Sequence, residues 1–152
     1  MMKVGSQEIM ENKKLNVLRK VVEEGFGKAD LHVIDQFIHD AWIEHQPNLK
    51  GGKEVLKKAI ISLDSAFSNR RYDLANHSVD GDIVWVHYRL NAVNTGSFMG
   101  HEPTGKSFTI DVMDIARIEN DQIVEHWGIP DRFSLMMQLG FLQPTNSKPR
   151  SY

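Results

Sequence analysis

The sequence predicts an α+β protein, a curved antiparallel sheet wrapped by N-terminal helices into a cone with one pocket. Three observations predict it. Apolar residues recur three or four apart through most of the first 67 positions, the period of amphipathic helices. After Asn69 the period changes to two, and four long strand-like segments follow. Helices gathered first and antiparallel strands later place the helices on one face of a bent sheet, and a bent sheet closed by helices leaves an open mouth.

The first helix is expected over residues 6–24, with Ile9, Leu15, Leu18, Val21 and Val22 on its apolar side. Gly25 and Gly27 close it, and Asp30 can cap the next helix, residues 31–38, which buries Leu31, Ile34, Phe37 and Ile38. Residues 41–45 alternate too briefly for a helix and read as a short strand stopped by Pro47 and Asn48. Gly51 and Gly52 restart the chain. Val55, Leu56, Ala59, Ile60, Leu63 and Phe67 then define a third helix. Residues 72–80 and 82–93 form a hairpin about Gly81-Asp82, residues 94–105 a polar loop, and residues 108–119 a further strand. A tight turn at 119–122 leads to a return strand ending on Trp127, then Gly128, Pro130 and a short helix opened by Asp131. Nothing divides these 152 residues, so one domain is expected, with mobile ends near 1–5 and 143–152.

Eighteen Lys and Arg against 20 Asp and Glu give a net charge of -2, which provides no field for nucleic acid or anionic lipid. The pair Arg70-Arg71 beside Asp73 reads as a solvated turn. No run of about eighteen apolar residues could span a bilayer. The first residues lack the apolar core of a secretory signal and there is no cysteine, so the expected location is cytoplasmic.

Along 108–119 one face carries Phe108, Ile110, Val112, Asp114, Ala116 and Ile118, the other Thr109, Asp111, Met113, Ile115 and Arg117. The turn decides what they meet. A two-residue loop at Asn120-Asp121 pairs Ile118 with Ile123 and brings Asp114 opposite Trp127. A three-residue loop shifts the register by one, sets Met113 opposite Trp127 and pairs Asp114 with His126. In that second register each partner would stabilise the other's charged form, or the two would form a solvent-facing cross-strand pair. Asp131 reads both as the N-cap of the last helix and as a carboxylate near Trp127 whose pKa a partly apolar setting would raise toward neutrality. The seven histidines show no metal-ligand spacing, so no metal is expected. His45 and His87 are the two most apt to point inward. No nucleophile-elbow, phosphate-loop or dinucleotide motif occurs, and there is no thiol.

Taken together, EHQP at 44–47 before a Gly-led helix, AFSN at 66–69, VDGDIVWVHYRL at 79–90, NTGSFMG at 94–100, PTGKSF at 103–108, and IVEHW with Asp131 and QLG resemble the SnoaL-like polyketide cyclases, or predicted ester cyclases. These belong to the nuclear transport factor 2-like, cystatin-like cones. The resemblance implies a conical pocket, no cofactor, and acid-base chemistry on a small apolar or aromatic carbonyl compound, such as an intramolecular aldol closure. It implies Asp131 as the acid and base, His45 as a pocket residue and Trp127 as a pocket wall. Asn94 stands where relatives often have histidine, and His87 where many have arginine. The expected catalytic set is Asp131, His45 and His87; the expected substrate-binding set is Trp127, Asn94, Phe67, Trp42, Met113 and Asp111. Three other readings stay open on this fold: a module that binds a small apolar ligand without transforming it, an isomerase or hydrolase with a second pocket carboxylate, and an interaction subunit. A homodimer through the outer sheet face is compatible with all of them.

Overall fold

The computed structural model describes residues 4–142. The ends expected to be mobile fall mostly outside these residues, while Val4 and Gly5 already belong to α1, Val4–Arg19. The helix continues as a wider π-type spiral over Lys20–Phe26, so the predicted first helix is two pieces in series. Asp30 caps α2, Leu31–Phe37, by accepting from the His32 amide. Strand β1, Ile38–Glu44, follows α2 directly and starts three residues earlier than expected. A 3-10 turn at Pro47–Leu49 leads to α3, Lys53–Ala66. The remaining elements are β2 (Phe67–Asp80), β3 (Ile83–Asn94), β4 (Ser107–Glu119), β5 (Gln122–Pro130) and α4 (Arg132–Gln138).

The sheet order is β1-β5-β4-β3-β2. β2 to β5 are antiparallel as expected, whereas β1 runs parallel to β5, which makes the sheet mixed and leaves it open. Strict alternation along β3 and β4 sends Val84, Val86, Tyr88, Leu90, Phe108, Ile110, Val112 and Ile118 to one face, where they are buried. Leu15, Leu18, Val21, Val22, Ile34, Leu56 and Ile60 from the helices complete that core. Each such side chain contributes about 1.5–3 kcal/mol by leaving water.

Two bulges redirect side chains that matter. In β2, Asn69 takes a positive φ of 52° and the register with β3 shifts between Ser68 and Arg71. The shift turns Arg70 inward. Its side chain is only 4% exposed, and it donates to the carbonyls of Phe26, Phe67 and Leu63 and to Asp64. Of the solvated turn expected at Arg70-Arg71, the solvation therefore holds for Arg71, which pairs with Asp73 in the open, and fails for Arg70, while the turn fails for both because they lie within β2.

The second bulge lies in the β4–β5 hairpin. Asn120 and Asp121 both have positive φ, 48° and 60°, the two-residue turn whose twist matches the strands. Ile118 pairs with Ile123, but Arg117 then pairs with Glu125, leaving Val124 as an extra residue. Beyond it Ala116 faces His126, Ile115 faces Trp127 and Asp114 faces Gly128. This is neither expected register. The bulge carries His126 to the inner face and Trp127 to the outer one.

Candidate active site

Between the helices and the inner sheet face lies a cavity of about 460 Å³. Phe26, Leu63, Phe67, Phe98, Phe108 and Ile110 form much of its wall, and its polar groups are few. Asp114 is the one carboxylate lining it among the described residues.

Asp114 does not stand alone. His126 donates from Nε2 to Asp114 Oδ1 at 2.8 Å and from Nδ1 to Glu44 at 2.9 Å. Glu44 sits on β1 beside His126 on β5, so three ionisable groups form a chain across β1, β5 and β4. All three side chains are at most 11% exposed. A neutral imidazole can donate from only one nitrogen, so a ring with an acceptor carboxylate at each end is best served by the charged form. Burial opposes that charge, but the hydrogen bonds and charges of Asp114 and Glu44 outweigh it and push the His126 pKa up to about 10. Burial likewise opposes the charge on Glu44. The His126 bond and charge prevail, helped by the Gln46 amide and the Trp42 indole, and hold the Glu44 carboxyl below its usual range. The chain thus has one positive centre between two negative ends. One oxygen of Asp114 is committed to His126, and the other makes no hydrogen bond among the described residues.

Gly128 lets the Gln46 side chain pack closely against β5 beside Asp114. A Cβ there would collide with Gln46 Oε1 and stand 3.0 Å from both Asp114 Oδ1 and His126 Cε1. Gln46 and Asp114 are therefore near neighbours, both packed beside residue 128 where any side chain would displace Gln46.

Of the residues predicted from sequence, Phe67 lines the cavity. The others lie elsewhere. Asp131 is exposed and caps α4, its carboxylate accepting from the Ser134 amide at 2.9 Å. His45 and Trp127 stack on one another with ring centres 4.5 Å apart, and His45 bonds Glu125. His87 points to the outer face, since it pairs with outward Met113, and there it contacts Asp111 and Asn76. Met113 and Asp111 occupy the outward positions of β4. Trp42 is buried beside Glu44 rather than in the cavity, and holds it through the indole. Asn94 is fully buried as a structural clamp. It donates to the carbonyls of Ala66 and Gly96 and accepts from the amide and hydroxyl of Thr104.

Sequence reasoning considered an Asp114-His126 pair but did not find Glu44 as its third member, nor Tyr72 and Arg70 as cavity residues. The signal for Asp114 was present. It is the single charge on an otherwise apolar strand face, where an unpaired charge would be costly.

A mostly apolar cavity in an α+β cone, with one supported carboxylate at its polar end, defines a small-molecule site. The model of the family described as SnoaL-like polyketide cyclase matches residues 16–139, and the chain belongs to that family. It is similar to the aklanonic acid methyl ester cyclase DnrD of Streptomyces peucetius, 28% identical over 139 residues that cover 87% of this chain and 94% of that protein. It is also similar to the aklanonic acid methyl ester cyclase DauD of Streptomyces sp. (strain C5), 26% identical over 87% of this chain and 84% of that one. A SnoaL-like protein structure from Jannaschia sp. CCS1 shares the fold, with a TM-score of 0.77 and 21% identity over 88% of this chain and 95% of the other. No helix of the described residues is long and apolar enough to cross a membrane.

Proposed function

We propose that the protein binds a small, largely apolar or aromatic carbonyl compound and closes a ring in it by proton transfer through Asp114, without a cofactor. The observation that carries this reading is the position of Asp114, a carboxylate in an apolar cavity held from behind by His126 and Glu44. The two similar methyl ester cyclases support the substrate class. Removing a proton next to a carbonyl requires a base at the reacting carbon and a wall that excludes water. His126 orients Asp114 by holding one of its oxygens, so the other oxygen is the one that can take the proton. The carbon freed of its proton attacks a second carbonyl of the same molecule, and Asp114 returns the proton to the alkoxide so formed.

Turnover of an aromatic 1,3-dicarbonyl methyl ester, followed by mass-resolved chromatography, tests this. Asp114→Asn should lower the rate by about 10²–10⁴. Full activity in the Asp114→Asn variant would sink the assignment. Binding without turnover in the unaltered protein would favour the non-catalytic ligand-binding module.

We place the protein in the cytoplasm, as a homodimer through the outer sheet face. The outward rows Trp85-Ile115-Trp127 and His87-Met113-Ile129 support this, because Trp85, Met113 and Ile129 are exposed. A strip that meets its own copy about a two-fold axis would cover both rows. Light scattering on the purified protein tests it, and a monomer at micromolar concentration would refute it.

A further inference from the structure

With Asp114 moving the proton, the substrate oxygen that gains negative charge still needs a donor. The cavity wall holds a hydroxyl with nothing to bond. Tyr72 lines the cavity from β2, and its Oη enters no hydrogen bond with any described residue. Every non-exposed side-chain N or O that is sealed from solvent among those residues has a partner, so this unpartnered oxygen borders the open space of the cavity. Tyr88, deeper in the core, shows the contrast by donating to Glu23 at 2.9 Å.

The Tyr72 ring is held in place. It meets Tyr88 edge-on at 5.9 Å and 90°, and on another side it leans on Gly27, where a Cβ would come within 3.3 Å of Cδ2. A fixed ring makes its hydroxyl a preorganised donor. The other donors along the wall are mostly engaged elsewhere or, like Asn48, exposed. Arg70 bonds three carbonyls and Asp64. Gln46 directs its amide nitrogen to Asn48 and its oxygen toward Gly128. Ser62, Ser97 and Arg132 are exposed at the rim. Burial and the nearby charge of Asp114 push the Tyr72 pKa above its ordinary value, so the phenol keeps its proton near neutral pH.

We propose that Tyr72 binds the substrate's carbonyl oxygen as hydrogen-bond donor, so that Tyr72 and Asp114 together select an enolisable aromatic ketone. This rests on Asp114 as the proton carrier. Asp114 takes a proton from the carbon beside the carbonyl. The C–H pair becomes a C=C bond, the carbonyl π pair moves onto oxygen, and the Tyr72 O–H stabilises that enolate without giving up its proton. The enolate carbon then bonds to the carbon of a second carbonyl in the same molecule as the first C=O re-forms, the π pair of that second carbonyl moves onto its oxygen as an alkoxide, and the proton held on Asp114 passes to it. Atoms and electrons balance with no further reactant.

Two probes separate the roles. 2-Acetylnaphthalene has an oxygen that only accepts and a methyl group that can exchange hydrogen; 2-ethylnaphthalene has the same shape without the oxygen. Tyr72→Phe should melt as the unaltered protein does, because Oη bonds nothing. It should lower the preference for the ketone over the hydrocarbon about five- to tenfold, the loss of one hydrogen bond. The infrared carbonyl band of the bound ketone, shifted to lower wavenumber in the unaltered protein, should return toward its position in an apolar solvent. Deuterium exchange into the methyl group in heavy water should slow about tenfold or more in Tyr72→Phe and vanish in Asp114→Asn. If exchange needs Asp114 but Tyr72→Phe keeps both the preference and the band position, the role of Tyr72 is overturned while that of Asp114 stands. If the band depends on Tyr72 but no exchange is catalysed, Tyr72 is upheld as the donor and the proton-transfer reading fails. A ketone that does not bind, or binds with an unshifted band, overturns the proposal.

Discussion

Replacing Glu44 by Gln tests whether His126 is a buried cation held by two carboxylates. Gln keeps an oxygen that can accept from His126 Nδ1, so the change removes charge while sparing the shape. A hydrogen bond to a charged group is worth about 1.5–3 kcal/mol against about 0.5–1.5 for a neutral one. The difference, about 1–2 kcal/mol, corresponds to a fall of about one unit in the His126 pKa from its value of about 10. It also corresponds to a drop in Tm of about 2–8 °C for a chain of this size. The sign with pH follows from the direction of each shift. His126 binds its proton more tightly when folded, so its contribution is whole below its ordinary pKa of 6.5 and is lost as pH rises through about 10. Glu44 is shifted down, so its contribution is present above its ordinary value of 4.5 and is lost as pH falls through the folded one. The Tm gap between the unaltered protein and the Glu44→Gln variant should be widest at about pH 5–6.5 and close on both sides. Imidazole-detected NMR of the seven histidines from about pH 5 to about 10.5 reads the pKa directly, with calorimetry for the melting curve. His126 titrating near its ordinary 6.5, or a substitution that moves neither observable, would refute the buried-cation account.

The remaining predictions concern residues whose placement changed once the structure was known. Asp131→Ala removes a helix cap and should cost about 1 kcal/mol in denaturant titration while leaving any Asp114-dependent turnover intact; lost turnover in a folded variant would return Asp131 to the chemistry. Asn94→Ala strips partners from four groups at a buried corner and should cost about 2–4 kcal/mol, and a change under about 0.5 kcal/mol would show that the clamp contributes little. Gly128→Ala places a methyl group against Gln46, Asp114 and His126, so it should cost about 1–3 kcal/mol and weaken binding of 2-acetylnaphthalene; unchanged binding would show that the cavity does not use this space.

The elements were legible because their signals are local. Asp30 announced a cap, Gly81-Asp82 a turn, and the alternation through β3 and β4 announced two faces. The site was less legible because it depends on offsets that propensity does not encode. A turn at Asn120-Asp121 is plain in the sequence, yet the bulge that follows it decides whether His126 or Trp127 faces inward, and nothing in IVEHW distinguishes the extra residue. Arg70 looked solvated because its partners are mostly backbone carbonyls, which carry no mark in a sequence. Glu44 needed the β1–β5 pairing, a contact between positions 82 residues apart. Asp131 was drawn toward the pocket by resemblance, whereas the plain capping signal at the same position describes what its carboxylate touches.

The extra residue at Val124 also governs how sequences of this kind should be compared. Because strand side chains alternate, an alignment that closes a one-residue gap anywhere between Ile123 and His126 exchanges inside for outside along the rest of β5. Aromatic and ionisable positions would then be matched to the wrong surface, and a relative without the bulge would turn a tryptophan to the inner face where this chain turns a histidine. Tracking that single insertion is a better guide to which residues share a role than the similarity of the letters around it.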